Sequence, residues 1–75
     1  MSYVATLAVI DSAQERRVLR KEQQARREAR YDQSHGVTLT PKDAEDFARL
    51  APTNEPMVRV YWKEYAKELR RMRLA

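Results

Sequence analysis

Gly36, Pro41, Pro52 and Pro56 are the strongest backbone breakers in this chain, which has one glycine and three prolines, and all four fall between residues 36 and 56. Residues 12 to 34 before them and residues 57 to 75 after them run without interruption. Both flanking stretches are free to be helical, and only a short element fits between the breakers. Ser12 followed by Glu15 has the spacing of a capping box, so the first helix is expected to start there. The "SHG" sequence stops it, with Gly36 suited to the left-handed residue of a C-terminal cap. In "TLTPKD", Thr40 is an N-cap, Pro41 the first helical position and Asp43 a first-turn acid. Ala44, Phe47, Ala48 and Ala51 then recur at helical spacing, with Leu50 beside them, and Pro52 closes the element. "TNEP" opens a third helix, with Pro56 in its first turn, which runs to about Arg73.

The segment before Ser12 reads differently. "YVATLAVI", residues 3 to 10, is β-branched, aromatic and apolar on both sides of an extended chain. It suits an extended arm packed on the helices, an early start to the first helix, or an edge that pairs with a partner's sheet. The expectation is therefore an all-α fold: a small three-helix domain over residues 12–75 with a long basic first helix, preceded by an extended apolar arm over residues 1–11. Seventy-five residues allow one domain and a small core, and a partner could supply part of the stability. The apolar start is too short to span a bilayer and lacks the basic flank of a signal peptide, so the chain is expected to be soluble and cytoplasmic.

Charge separates the helices by role. Fifteen Lys and Arg against eleven Asp and Glu give a formal charge of +4, which favours acidic partners. At 100° per residue, Arg16, Arg20, Arg27 and Arg30 share a stripe about 80° wide, with Val18, Ala25 and Ala29 opposite and Glu22 beside them. Arg17, Lys21 and Arg26 broaden the positive field. The third helix instead carries Met57, Val58, Tyr61, Trp62, Tyr65, Ala66, Leu69 and Met72 over nearly half its circumference. That half is expected to form the core with Phe47, Leu50, Val37, Leu39 and part of the arm; the other use of Trp62 or Tyr65 is as an anchor in a partner groove. Arg59, Lys63, Lys67 and Arg70 lie on its far side with Arg71.

Chemistry is sparsely provided. The single histidine, His35, adjoins the helix-ending glycine, where capping or simple solvation accounts for it. There is no cysteine and no second histidine for a zinc site, and one glycine cannot make a phosphate-cradling loop. The acids stand near bases at helical spacing, as solvated faces do. No catalytic residue, metal, cofactor or small-molecule substrate is expected.

Two kinds of binding remain. A nucleic-acid reading takes Pro41 to Arg73 as a loose helix-turn-helix, with Arg59, Lys63, Lys67 and Arg70 as candidate phosphate contacts. Pro52 stands where such a turn usually has glycine, and the exposed face has no Asn or Gln to read bases. A protein-docking reading uses the arginine stripe against carboxylates, with the apolar arm as the buried anchor. Its candidate contacts are Tyr3, Val4, Thr6 and Leu7 on the arm, with Arg16, Arg20, Arg27 and Arg30 on the first helix. A ribonucleoprotein subunit and a phage-encoded blocker of CRISPR complexes share this general look.

In its size, in "SYVATLAVI" followed by an arginine-rich helix, and in its compact basic C-terminal part, the chain resembles the small, basic, cysteine-free regulators that bacteriophages direct against host RNA polymerase, of the Xanthomonas-phage inhibitor and antiterminator type. The resemblance spans the whole chain and rests on these general features rather than on a motif. It implies binding to the largest polymerase subunits near the RNA exit channel, displacement of the σ factor and read-through of terminators in the host cytoplasm. It also implies that some basic residues approach the emerging RNA.

Overall fold

The structure, a computed structural model, describes the backbone of residues 2–74 and the side chains of residues 13–73. Three helices account for the fold: α1 (Ser2–Ser34), α2 (Pro41–Leu50) and α3 (Pro56–Leu74). The described residues contain no strand, and the all-α expectation holds.

The turns between helices form where the breakers stand. Gly36 takes φ +83°, the left-handed region that glycine enters without steric cost. Its turn lets the Val37 N–H donate to the Asp32 carbonyl at 2.9 Å, closing the end of α1. Gln33 reaches forward and donates from its side-chain amide to the Val37 carbonyl, fixing the exit of the chain. At α2, Thr40 and Asp43 form a reciprocal capping box: the Asp43 N–H donates to Thr40 Oγ1 and the Thr40 N–H to Asp43 Oδ2. Those hydrogen bonds hold the Asp43 carboxyl below its usual range.

α3 is the element on which the other two pack. Along α1, residues 26, 28, 30 and 32 meet residues 64, 61, 68 and 65 of α3, so these two helices run parallel. Along α2 the order reverses: Glu45 pairs with Arg70, while Phe47 lies against Trp62. α2 is thus the short return stroke that makes a parallel pair of helices achievable. The core is small and rich in alanine: Ala25 and Ala29 of α1, Ala44 of α2, and Tyr65, Ala66 and Leu69 of α3 are buried. Leu39, Tyr61, Trp62 and Met72 pack at its edge. Full burial of a side chain such as Leu69 contributes about 2 kcal/mol.

Three expectations are corrected. The backbone of α1 is helical from Ser2, so the helix passes through Ser12 and over residues 2–11 the early-start alternative, not the extended arm, is the one described, while Met1 lies outside the described residues. No glycine or proline stands in the way, and β-branched residues disfavour a helix only weakly. Leu50 is 73% exposed, and Val37 and Phe47 are also largely outside the core. The reason is that α2 approaches α3 with Ala44, Ala48 and Ala51. Phe47 and Leu50 lie roughly 60° and 120° round the helix from Ala44, off that seam. Finally, Glu64 and Glu68, expected on a solvated face, are buried at 3% and 2% exposure.

Candidate docking surface

The interior of the α1–α3 contact decides which charges are left outside. Ala25 and Ala29 put almost no side chain between the two helices, so longer neighbours meet across the seam on both sides. On one side the Tyr61 hydroxyl donates to Glu28 Oε1 and the Tyr65 hydroxyl to Asp32 Oδ2, each at 2.6 Å. On the other side Arg26 donates to Glu64 and Arg30 Nε to Glu68, each at 2.9 Å. Each set advances by four residues on both helices, which is what parallel helices in fixed register require.

Arg71 completes the second side from α3 itself, donating to Glu68 Oε2 at 2.7 Å and to Glu64 Oε1 at 3.3 Å. Lys67 Nζ lies 3.9 Å from Glu64. Two enclosed carboxylates are therefore matched by several cations, and no buried side-chain N or O among the described residues lacks a partner. Burial pushes the Glu68 carboxyl up, but the hydrogen bonds from Arg71 and Arg30 outweigh it and the net shift is downward. The Tyr61 hydrogen bond, with a second from Gln24, holds Glu28 down as well. Burial, reinforced by those carboxylate partners, raises both Tyr61 and Tyr65 above the ordinary phenol range.

These pairings pull acid inward and leave base outward. Arg16, Arg20 and Arg27 are exposed and have no acidic partner among the described residues. Arg30 departs from the expected free row: two thirds of its side chain is exposed, yet its Nε is held by Glu68. Tyr3, Val4, Thr6 and Leu7 lie outside the residues whose side chains are described. Of the four candidate nucleic-acid contacts, Arg70 is paired with Glu45 and Lys67 faces Glu64, while Arg59 and Lys63 are exposed without an acidic partner among the described residues. Arg59 and Lys63 line one hollow of about 340 Å³ with Arg49 and Glu45.

His35 does what its position suggested. Its ring stacks on Tyr31 with centroids 3.8 Å apart, and its Nδ1 lies 2.7 Å from the Tyr31 carbonyl, at the end of α1. No group of three or more potential metal-ligating side chains occurs among the described residues. No helix of the described residues is long and apolar enough to cross a membrane.

Sequence reasoning missed the inner charge pairs. Their signal was present as two i, i+4 repeats, Arg26/Arg30 and Glu64/Glu68, each beside the apolar face of its helix. Comparison with protein-family models, with curated proteins and with solved structures finds no match to this chain.

Proposed function

We propose that this protein is a non-enzymatic regulator that docks on host RNA polymerase through the outer face of α1, in the manner of the phage regulators its sequence resembles. The observation that carries the reading is the inward pairing of Glu28, Asp32, Glu64 and Glu68, beside which Arg16 and Arg27 stay free on the opposite side of α1 and Arg20 stays free at its edge toward Met57. Free guanidinium groups on a rigid helix are suited to bidentate contact with carboxylates of an acidic protein surface. Docking of this kind would inhibit initiation and favour read-through, and it would act in the host cytoplasm.

The test is the double substitution Arg16→Glu with Arg20→Glu. Neither side chain takes part in a described contact of the fold, so circular dichroism and melting should be unchanged. Capture of polymerase from nuclease-treated bacterial lysate should be lost. A double mutant that unfolds means the row is structural, and the reading fails.

A second reading rests on Arg59 and Lys63, which are free beside Arg49 on the α2–α3 side. Such a cluster suits phosphate contact without base reading. If nucleic acid is the ligand, Arg59→Glu with Lys63→Glu should weaken binding more than the α1 pair does, and affinity should fall steeply with salt.

A further inference from the structure

α1 and α2 flank α3 without packing on each other. Over the first turns of α3, clefts open between α1 and α3. One cleft of about 290 Å³ is lined by Lys21, Gln24 and Glu28 of α1 and by Met57, Val58, Tyr61 and Trp62 of α3. A larger one of about 720 Å³ shares Met57 and Val58 and continues along α1 to Arg17 and Gln14. Because they share Met57 and Val58, the two clefts adjoin and make one trough. From Gln14 to Glu28 it follows α1 for about 21 Å, the length of a helix of about 14 residues.

The walls of this trough are chemically distinct. Its floor in the smaller cleft is apolar and aromatic, made by Met57, Val58, Tyr61 and Trp62 of α3, and exposed apolar side chains of α2 stand beyond Trp62 without lining either cleft. Phe47 rests on Trp62 at 4.8 Å and is still 42% exposed, and Leu50, next along that side of α2, is 73% exposed. The α1 wall is cationic toward the α3 N-terminus: Arg17, Arg20 and Lys21 converge with Met57 around the same opening. Lys21 donates only to the neutral Gln24, and Arg17 and Arg20 have no acidic partner among the described residues. Glu28 is the acid in this wall, and it is engaged by Tyr61 and Gln24; Glu55, at the far end of the larger cleft, is the one other acid lining the trough, so the three cations outnumber the unengaged acids.

The geometry points to this trough as the seat of an acidic amphipathic helix supplied by a partner protein. The apolar face of that helix lies on Val58 and Trp62 and reaches past Trp62 to the exposed Phe47 and Leu50 of α2, and its carboxylates meet Arg17, Arg20 and Lys21 along one edge. Charge selects the occupant: a basic helix would meet repulsion from that wall, and a second copy of the chain would bring its own arginine row. This inference rests on the docking reading and names the partner element that the protein would grip.

Trp62, the only tryptophan, reports occupancy directly. The probe is a synthetic helical peptide of about 16 residues, with Leu at i, i+3, i+4 and i+7 and Glu on the remaining face. Two controls replace every Glu by Lys or every Leu by Ser. The acidic peptide should change Trp62 fluorescence saturably, and neither control should. Arg17→Glu with Lys21→Glu should weaken the acidic peptide about tenfold or more, as charge reversal at a docking edge does. Leu50→Ser should also weaken it; because Leu50 is exposed, that variant keeps the test clear of misfolding.

Equal response to acidic and basic peptides, or a Trp62 signal that never moves, overturns the proposal. So does sedimentation showing dimers that Leu50→Ser dissociates, since the trough then holds a second copy. Peptide binding without polymerase capture retains the trough and removes polymerase as partner. Polymerase capture with Trp62 unmoved by the peptide removes the trough alone.

Discussion

Glu68 shows how one side chain can be both costly and necessary. Enclosing a carboxylate is unfavourable until its oxygens are matched, and here Arg30 holds one oxygen while Arg71 holds the other. Glu68→Gln keeps the shape and removes the charge, so it should destabilise the protein by about 2 kcal/mol, the worth of hydrogen bonds to a charged group. The urea midpoint reads this. Tyr65→Phe should cost about 1 kcal/mol by removing the donor that serves Asp32. Tyr31→Phe is the control: that hydroxyl has no described hydrogen bond and the residue is 61% exposed, so stability should change by less than about 0.5 kcal/mol. Residue-scale features with a local cause were legible in the sequence. His35 at a helix end and the Thr40–Asp43 cap each depend on neighbours a few positions away. Whether Glu64 and Glu68 are covered depends on what lies more than thirty residues upstream, which no local spacing reveals.

Among the elements, α2 is the smallest and the most dependent on its ends. Thr40→Ala removes one half of the capping box and should lower stability by about 1 kcal/mol. Helical content should fall with it, visible by circular dichroism. The alanine seam of α1 makes a sharper demand. Ala29→Leu inserts bulk where the side chain is wholly buried, and overpacking of that kind costs about 1–3 kcal/mol. The same change at Arg27, on the outer side of the helix, should be almost neutral. The pairing of an arginine face with an alanine face on α1 was visible in its 3.6-residue period. The outward turn of Leu50 was not: hydrophobicity placed it in the core, but the close approach of Ala44 and Ala48 to α3 left no room to rotate it inward.

At the scale of the whole molecule, the carboxylates and the phenols of the α1–α3 seam respond to pH in opposite directions. Glu28 and Glu68 have folded values below their unfolded ones. Their contribution is present above the ordinary carboxylate range, about pH 4.3, and is lost as pH falls through the depressed folded values. Tyr61 and Tyr65 are raised in the fold. Their contribution is complete below about pH 10 and is lost as pH rises through the raised values. The melting temperature should therefore be level between about pH 5.5 and 9 and fall on both sides. A melting profile that stays flat to pH 3 would show that the carboxylate pairs add no net stability.

The parallel course of α1 and α3 also sets an order of events. The polar steps that join them link residues 33 or 38 positions apart, whereas α2 and α3 are neighbours along the chain. During synthesis the first helix is finished well before anything exists for it to lie against. The C-terminal pair closes a short loop, so it is the natural nucleus, and the leading helix docks last. Until then its alanine seam is bare, and a nascent chain stalled near residue 60 would present a charged rod in search of a companion.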